Sequence, residues 1–575
     1  MLKIYKNLKP YAASVTAIIV LVFMQVMSDL YLPTLMSDIV NNGIMKEDVS
    51  YILSCGGLML LVAAGGVACA VLSSFLGSRT AMSLGRILRS KTFSRVESFS
   101  LSEFDHFGAS TLITRTTNDI IQIQMTTILI INMMIRAPLM AIGGSILAIS
   151  KDPGMTVVLA VALPVLAIII FVIAKLGTPL FRSIQSKIDR INLVMRENLT
   201  GMRVIRAFDR ADYEKKRFDL ANHDLTDTYI RVNRIVAFMV PTMMLVMNLV
   251  TLSIIWFGSI RIGDGSTNLG NLLAFMQYAM QILFSLLMFA AMFIMIPRAQ
   301  AAADRINEVL ETQPIIVDPE HSVSAGNIKG HVEFKDVAFS YPGAEQPVIE
   351  GVSFTARPGE TTAIIGGTGS GKSTVINLIP RFYDVTSGEL LVDGVDVRNM
   401  TQSELRAKIG YVPQKAMLFT GTIKDNLRYG REDASDDDIK RACVTAQADD
   451  FISGFSDGYD TVLSEGGLNL SGGQKQRLSI ARALVRRAEI YVFDDSFSAL
   501  DFKTDANLRS ALRQETADST VIIVAQRVGT VMNADRIIVL DEGRVAGIGT
   551  HEQLMDTCEV YREIVSSQLS EEELK

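Results

Sequence analysis

The chain has 575 residues, 49% of them hydrophobic, and a net charge of −6. That length exceeds what one core serves and predicts two large units. The mildly acidic balance leaves no electrostatic footprint for nucleic acid, and the positive mean hydropathy is high for a water-soluble protein.

Lys3, Lys6 and Lys9 precede a first apolar run from Ala12 to about Met36. It is too long for a signal-peptide core and lacks a small-residue cleavage site, so it reads as a retained anchor with its N-terminus inside. Further apolar runs fall at about 52–76, 127–149, 155–177, 236–260 and 271–296. Each is close to the roughly 20 residues that cross a bilayer. Six such segments within one half of a chain predict a six-helix membrane domain over residues 1–310. The connection between the second and third carries about six Lys and Arg, and that between the fourth and fifth about a dozen. The other three carry one each, so the long connections face the cytoplasm. They are rich in helix formers and extend the spans as helices below the membrane.

Polar residues inside the spans are costly against lipid and face a cavity, a helix partner or the interface. Asp29, Asn132, Arg136, Asn248, Gln277 and Gln281 are such residues. They either line a substrate cavity or act as helix glue. Methionines recur at helical spacing: Met239, Met243 and Met247 in the fifth run, then Met276, Met280, Met288, Met292 and Met295 in the sixth. Such stripes serve as packing, or as a surface that adapts to varied apolar ligands. Met243 and Met280 are the cavity candidates among them. Cys55, Cys69, Cys443 and Cys558 show no metal-ligand spacing and read as free thiols.

A polar linker over 311–331 leads to a second unit over 332–566 and an acidic tail over 567–575, with Glu571 to Glu573 at its heart. This unit opens with a strand-like run, Thr361 to Ile365, followed by Gly366, Gly367, Thr368, Gly369, Ser370, Gly371, Lys372, Ser373 and Thr374. Strand, glycine-rich loop and helix in that order form a P-loop: Lys372 reaches the β- and γ-phosphates of a nucleotide and Ser373 the metal. About a hundred residues on, Leu470, Ser471, Gly472, Gly473 and Gln474 place free backbone N–H groups at a helix start, which suits an anion. The buried strand Ile490–Phe493 then ends in Asp494 and Asp495, carboxylates of the kind that hold Mg²⁺ beside phosphate oxygens.

With Leu470 to Gln474 reading LSGGQ, the second unit resembles the ATP-binding cassette (ABC) family, over roughly residues 332–566. The resemblance implies an α/β P-loop nucleotide-binding domain that takes ATP and Mg²⁺. It puts Tyr341 against adenine, Gln414 near the metal at the contact with the membrane domain, and Ser498, Ala499, Leu500 and Asp501 in the D-loop. It assigns Ser373, Gln414 and Asp494 to the metal. It also implies that Leu470–Gln474 serves ATP held by a partner's P-loop, so the working unit is a dimer. The phrases running from Phe104 to Asp119 and from Glu197 to Phe208 are similar to those of ABC exporters, whose coupling helices would fall near 105–113 and 209–217.

Two positions depart from the family. The base that follows the metal aspartate is normally Glu and here is Asp495; the switch residue is normally His and here is Gln526. Asp is a methylene shorter, and a displacement of about 1 Å can cost about 10²-fold in rate. Gln526 can hydrogen-bond a phosphate but cannot become positively charged. The resemblance is closest to the degenerate-site half of bacterial heterodimeric multidrug exporters. It implies a multi-pass protein of the cytoplasmic membrane, with its nucleotide-binding domain and N-terminus inside. Its partner would be a second half-transporter carrying Glu and His, and its cargo bulky apolar or amphipathic compounds. The alternatives are a homodimeric exporter of lipid or peptide and a non-transporting nucleotide sensor; a soluble ABC ATPase is opposed by the six runs.

Overall fold

A computed structural model describes residues 1–323, 326 and 329–568, with side chains at all but 174, 178, 181, 182, 236, 239, 240 and 289–294. The methionines at 239 and 292, and the acidic run Glu571 to Glu573, lie outside what is described. Two units emerge: Met1–Glu97 with Ser110–Thr312, and Ser98–Ala109 with Gln313–Lys575.

The first unit is helical, and six of its helical stretches are long and apolar enough to cross a membrane. Ala12–Asp38 is continued by a π-turn over Ile39–Ile44. Val49–Glu97 is one helix of 49 residues, about 70 Å at 1.5 Å per residue. That is more than twice a bilayer core and carries the second span well beyond it. Thr156–Thr200, Ala211–Gly263 and Leu269–Glu311 are likewise single helices. The third span is broken: Asn118–Leu129 meets Arg136–Lys151 through a π-turn at Ile130–Met134. Apolar periodicity does not reveal this turn, because one extra residue leaves an apolar run apolar.

Charged staples hold the helix ends. Arg261 Nε donates to Asp152 Oδ2 at 3.1 Å, while the other oxygen of Asp152 accepts from the N–H groups of Gly154 and Met155. One carboxylate thereby fixes the tight turn after Lys151 and ties it to the fifth span. At the opposite end Arg305 Nε donates to Asp119 at 2.8 Å and Arg115 to Glu308 at 2.8 Å. Ile4, fully buried, packs with Leu84, Leu88, Ile120, Ile123 and Ile306. Lys187 bridges Thr156–Thr200 to Ala211–Gly263 through Asp224 at 2.6 Å and Thr228 at 2.7 Å. The short helix of the second long connection is Met202–Ala207, earlier than the 209–217 placement. Asp209, at φ 50°, closes the turn that follows, and Ala211 already opens the next long helix.

The second unit contains the strands β1 (Val332–Phe339), β2 (Ile349–Ala356), β3 (Thr361–Gly366), β4 (Ser387–Val392), β5 (Val395–Asp396), β6 (Ile409–Val412), β7 (Gly421–Thr422), β8 (Val462–Leu463), β9 (Ile490–Asp494), β10 (Thr520–Val524), β11 (Arg536–Asp541) and β12 (Arg544–Gly549). Six form a sheet in the order β12-β11-β3-β10-β9-β6, parallel apart from the β11–β12 hairpin. A smaller antiparallel sheet runs β2-β1-β4-β5, and β7 pairs with β8. Strands such as β9 and β10 are buried along their whole length, as parallel strands covered on both faces must be.

Helix Leu101–Phe107 belongs to this second unit although it comes early in the chain, and it begins before the 105–113 placement. Ser100 and Glu103 form a capping box that fixes its start, and Gly108, at φ 73°, ends it. The second oxygen of Glu103 accepts from the N–H of Ile315 at 3.2 Å, and Asp105 accepts from the Tyr383 hydroxyl at 3.3 Å. Burial and the nearby Asp105 push the Tyr383 phenol up to about 12.

Candidate functional site

Because β3, β10 and β9 are adjacent and parallel, their carboxyl ends bring three loops to one edge of the sheet. Ligands of open α/β sheets bind at such an edge. The loop after β3 wraps the Lys372 ammonium, which donates to the carbonyls of Gly366 at 2.9 Å and Gly367 at 2.7 Å. Gly366 has no alternative residue, since a Cβ there would stand 2.2 Å from the Leu540 carbonyl. Gly371, at φ 93°, turns the chain into helix Lys372–Leu378. Gly367, Thr368 and Gly369 form the exposed crown, and Ser370 and Thr374 are buried beneath it. Burial pushes the Lys372 amine down, opposed by the nearby Asp495 and Asp494. Tyr341 stands beside the loop, its hydroxyl 3.2 Å from Thr374 Oγ1 and its ring edge-on to Tyr383 at 5.3 Å.

Ser373 Oγ donates to Asp494 Oδ1 at 3.2 Å. Burial raises the Asp494 carboxyl, with the Ser373 hydrogen bond opposing. An exposed hydroxyl paired with a buried carboxylate beside a caged ammonium has the donor chemistry for a hard divalent cation with phosphate oxygens. The residues present therefore fit a Mg²⁺-nucleotide.

Asp495 occupies the left-handed region at φ 43°. Burial raises its carboxyl, opposed first by a hydrogen bond from Gln414 and also by Arg527, Lys372 and the Gln526 N–H. Gln414 is exposed two residues after the end of β6. Gln526 itself is exposed just after β10. Arg527 donates to the Ser498 carbonyl at 3.2 Å, and Ser498 Oγ to the Asp495 carbonyl at 2.9 Å. Base position, D-loop and switch loop form one connected cluster.

Ser471 caps helix Gly472–Val485, its N–H donating to Gln474 Oε1 at 2.8 Å and its Oγ accepting from the Gln474 N–H at 3.3 Å. Leu470 is buried and anchors the turn. A Cβ at Gly472 would meet open space, whereas one at Gly473 would touch the Ala499 carbonyl at 3.3 Å and Leu500. The signature turn therefore leans on the D-loop through Gly473 and leaves the Gly472 side open. Asp501 caps helix Phe502–Glu515 by accepting from the Thr504 N–H at 2.9 Å.

Residues 15–287 match the ABC transporter transmembrane region, and residues 349–498 match the ABC transporter family. An uncharacterised ABC transporter ATP-binding protein of Mycobacterium tuberculosis is 43% identical over 98% of this chain and 97% of the relative. The chain is an ABC transporter. A second uncharacterised relative, YfiB of Bacillus subtilis, is 39% identical over 100% of this chain and 99% of its own. A bacterial Atm1-family ABC exporter solved with ATP bound aligns at a TM-score of 0.81 and 26% identity, covering 97% of this chain and 98% of that one. The chain is thus a multi-pass membrane exporter with an ABC-type ATPase domain, and ABC exporters work as dimers in the lipid membrane.

Within the transporter's membrane unit the polar candidates separate. Arg136 and Asp29 form an ion pair at 2.9 Å, each about a third exposed. Gln281 Nε2 donates to the Asp29 carbonyl at 3.2 Å, while its Oε1 is buried without a partner. Asn132 lies in the π-turn, four residues before Arg136. Asn248 and Gln277 are exposed in a single protomer, and Met280 is half-buried. Met243 is 6% exposed inside the apolar cluster with Val246, Val250 and Phe275. In this single protomer it is packed among apolar side chains. Sequence reading missed Gln568, whose side chain reaches the switch loop from the end of the last helix. No motif marks it, because the contact joins residues 42 apart.

Proposed function

We propose that this chain is one half of a heterodimeric exporter in which its own P-loop forms the slow ATP site and its signature completes the partner's competent one. The observation that carries this reading is Asp495 at the base position and Gln526 at the switch position, beside an intact Leu470–Gln474 turn. At this chain's own site Lys372 would hold the β- and γ-phosphates and Tyr341 the adenine. Ser373 and Asp494 would hold Mg²⁺, which supplies charge neutralisation for the phosphate oxygens. Asp495 is a methylene shorter than Glu and turned by its backbone at φ 43°, so it is poorly set to draw a proton from an attacking water. Nucleotide is therefore retained here. Across the dimer, Gly472 and its free N–H groups would face phosphate held by the partner, whose Glu and His do the chemistry.

Cargo would be bulky and apolar or amphipathic, with Asn132, Arg136, Asn248, Gln277, Met280 and Gln281 as candidate cavity groups. A partly exposed ion pair such as Asp29–Arg136 is too costly to face lipid chains and suits a polar passage between halves. The test is to purify the chain alone and with candidate half-transporters and to measure ATP turnover in each. Turnover confined to a mixed pair supports the reading. Equal turnover from this chain alone overturns it in favour of a homodimer.

A further inference from the structure

Helix Glu559–Gln568 is seated firmly: Tyr561 and Val565 are fully buried, and the Tyr561 hydroxyl lies 2.8 Å from His551 Nδ1. Its last residue, Gln568, reaches back to the switch loop with both ends of its amide. Nε2 donates to the Gln526 carbonyl at 2.8 Å, and Oε1 accepts from the Val528 N–H at 2.9 Å. Two residues before the switch position, the Val524 carbonyl accepts from the Asp495 N–H at 2.9 Å. The switch loop's backbone is thus pinned on both sides of Arg527 by the one Gln568 amide. Two further ties flank it, from Arg527 to the Ser498 carbonyl and from Arg509 to the Gly529 carbonyl at 2.9 Å.

We propose that Gln568 is a positioning residue for the ATP site, a clamp that fixes the backbone of the switch loop and with it the placement of Gln526. The primary amide is the chemistry this needs, because only an amide offers a donor and an acceptor side by side to a carbonyl and an N–H two residues apart. A backbone so held keeps the Gln526 side chain aimed at the γ-phosphate without depending on the charge that His would bring. This rests on the reading of Gln526 as the switch residue and of this chain's own site as the slow one.

The experiment uses the full chain with its partner and photolabels this chain with 8-azido-ATP, separating the two chains on a gel. Gln568→Ala should shorten retention of the label after dilution by about two- to tenfold, the scale of one or two hydrogen bonds. Gln568→Glu should be at least as severe, since it keeps the acceptor for Val528 but sets a carboxylate against the Gln526 carbonyl. Ser567→Ala, which loses only a local bond to Ile564, should leave retention unchanged, and the thermal midpoint should stay constant in all three. If this chain alone turns over ATP robustly, the slow-site reading fails; the clamp then appears as a fall in kcat with KM unchanged. Unchanged retention and unchanged turnover in both Gln568 variants, or a loss of stability alone, overturn the clamp whichever assembly holds.

Discussion

Ser373 Oγ and Asp494 Oδ1 lie 3.2 Å apart, a hydroxyl from the P-loop helix and a carboxylate from the end of β9. The contact joins two motifs 121 residues apart and defines where nucleotide chemistry can occur.

Lys372→Ala removes the ammonium caged by the Gly366 and Gly367 carbonyls. Charged hydrogen bonds to phosphate are strong, so ATP affinity should fall about ten- to a hundredfold. Equilibrium titration with a fluorescent ATP analogue at this chain's site checks it.

A bulky residue at Gly472 enters open space in one protomer, so the fold should tolerate it. In the dimer it would push the free N–H groups from the partner's γ-phosphate and cut turnover by about 10²–10³. Asp495→Asn in the same heterodimer should cost about threefold or less, because a displaced carboxylate contributes little. Steady-state ATPase rates at saturating ATP compare the two, with dimer closure measured separately. The reverse ranking would give this chain the working site.

Asp494 and Asp495 both have folded-state carboxyls raised by burial. The folded, nucleotide-free protein therefore binds these protons more tightly than the unfolded chain does. Their contribution favours folding at acid pH and is lost as pH rises from the ordinary Asp value through the raised one. Asp494→Asn should consequently raise the thermal midpoint of the nucleotide-free protein at pH 7, while removing the further rise that Mg²⁺ and ATP give the parent. Calorimetry with and without Mg²⁺-ATP reads both.

Asp29→Asn leaves Arg136 without its partner inside the membrane unit and should destabilise by about 1–3 kcal/mol, discounted for the pair's partial exposure. Removing both charges with Asp29→Asn and Arg136→Gln should be milder than the single change. Thermal unfolding in detergent tests the order.

Much of this molecule is legible in its sequence. Six apolar runs become six span-length helices, because length and hydropathy leave such segments few other environments. The glycine-rich loop is equally legible, since Gly366 and Gly371 are dictated by a close carbonyl and a positive φ. The π-turn at Ile130–Met134 is not, because it changes register without changing composition. Gln568 meeting the switch loop is a tertiary contact with no local signature. The burial of Met243 is settled by which face its helix turns to its neighbours, something a methionine stripe leaves open.

Helix Leu101–Phe107 belongs with strands that begin more than two hundred residues later, so the ATPase unit is discontinuous in the gene. A fragment cut at Gln313 would be missing one of its own pieces. It would lose the acceptor for the Tyr383 hydroxyl and the Glu103 oxygen that holds the Ile315 N–H. It would also lose Phe107, which is 8% exposed and stacks on Phe99 at 5.7 Å. Such a fragment should be adhesive in solution, and a synthetic peptide covering 98–109 should bind it saturably. Soluble-domain biochemistry on this transporter therefore calls for a fused segment or the whole chain.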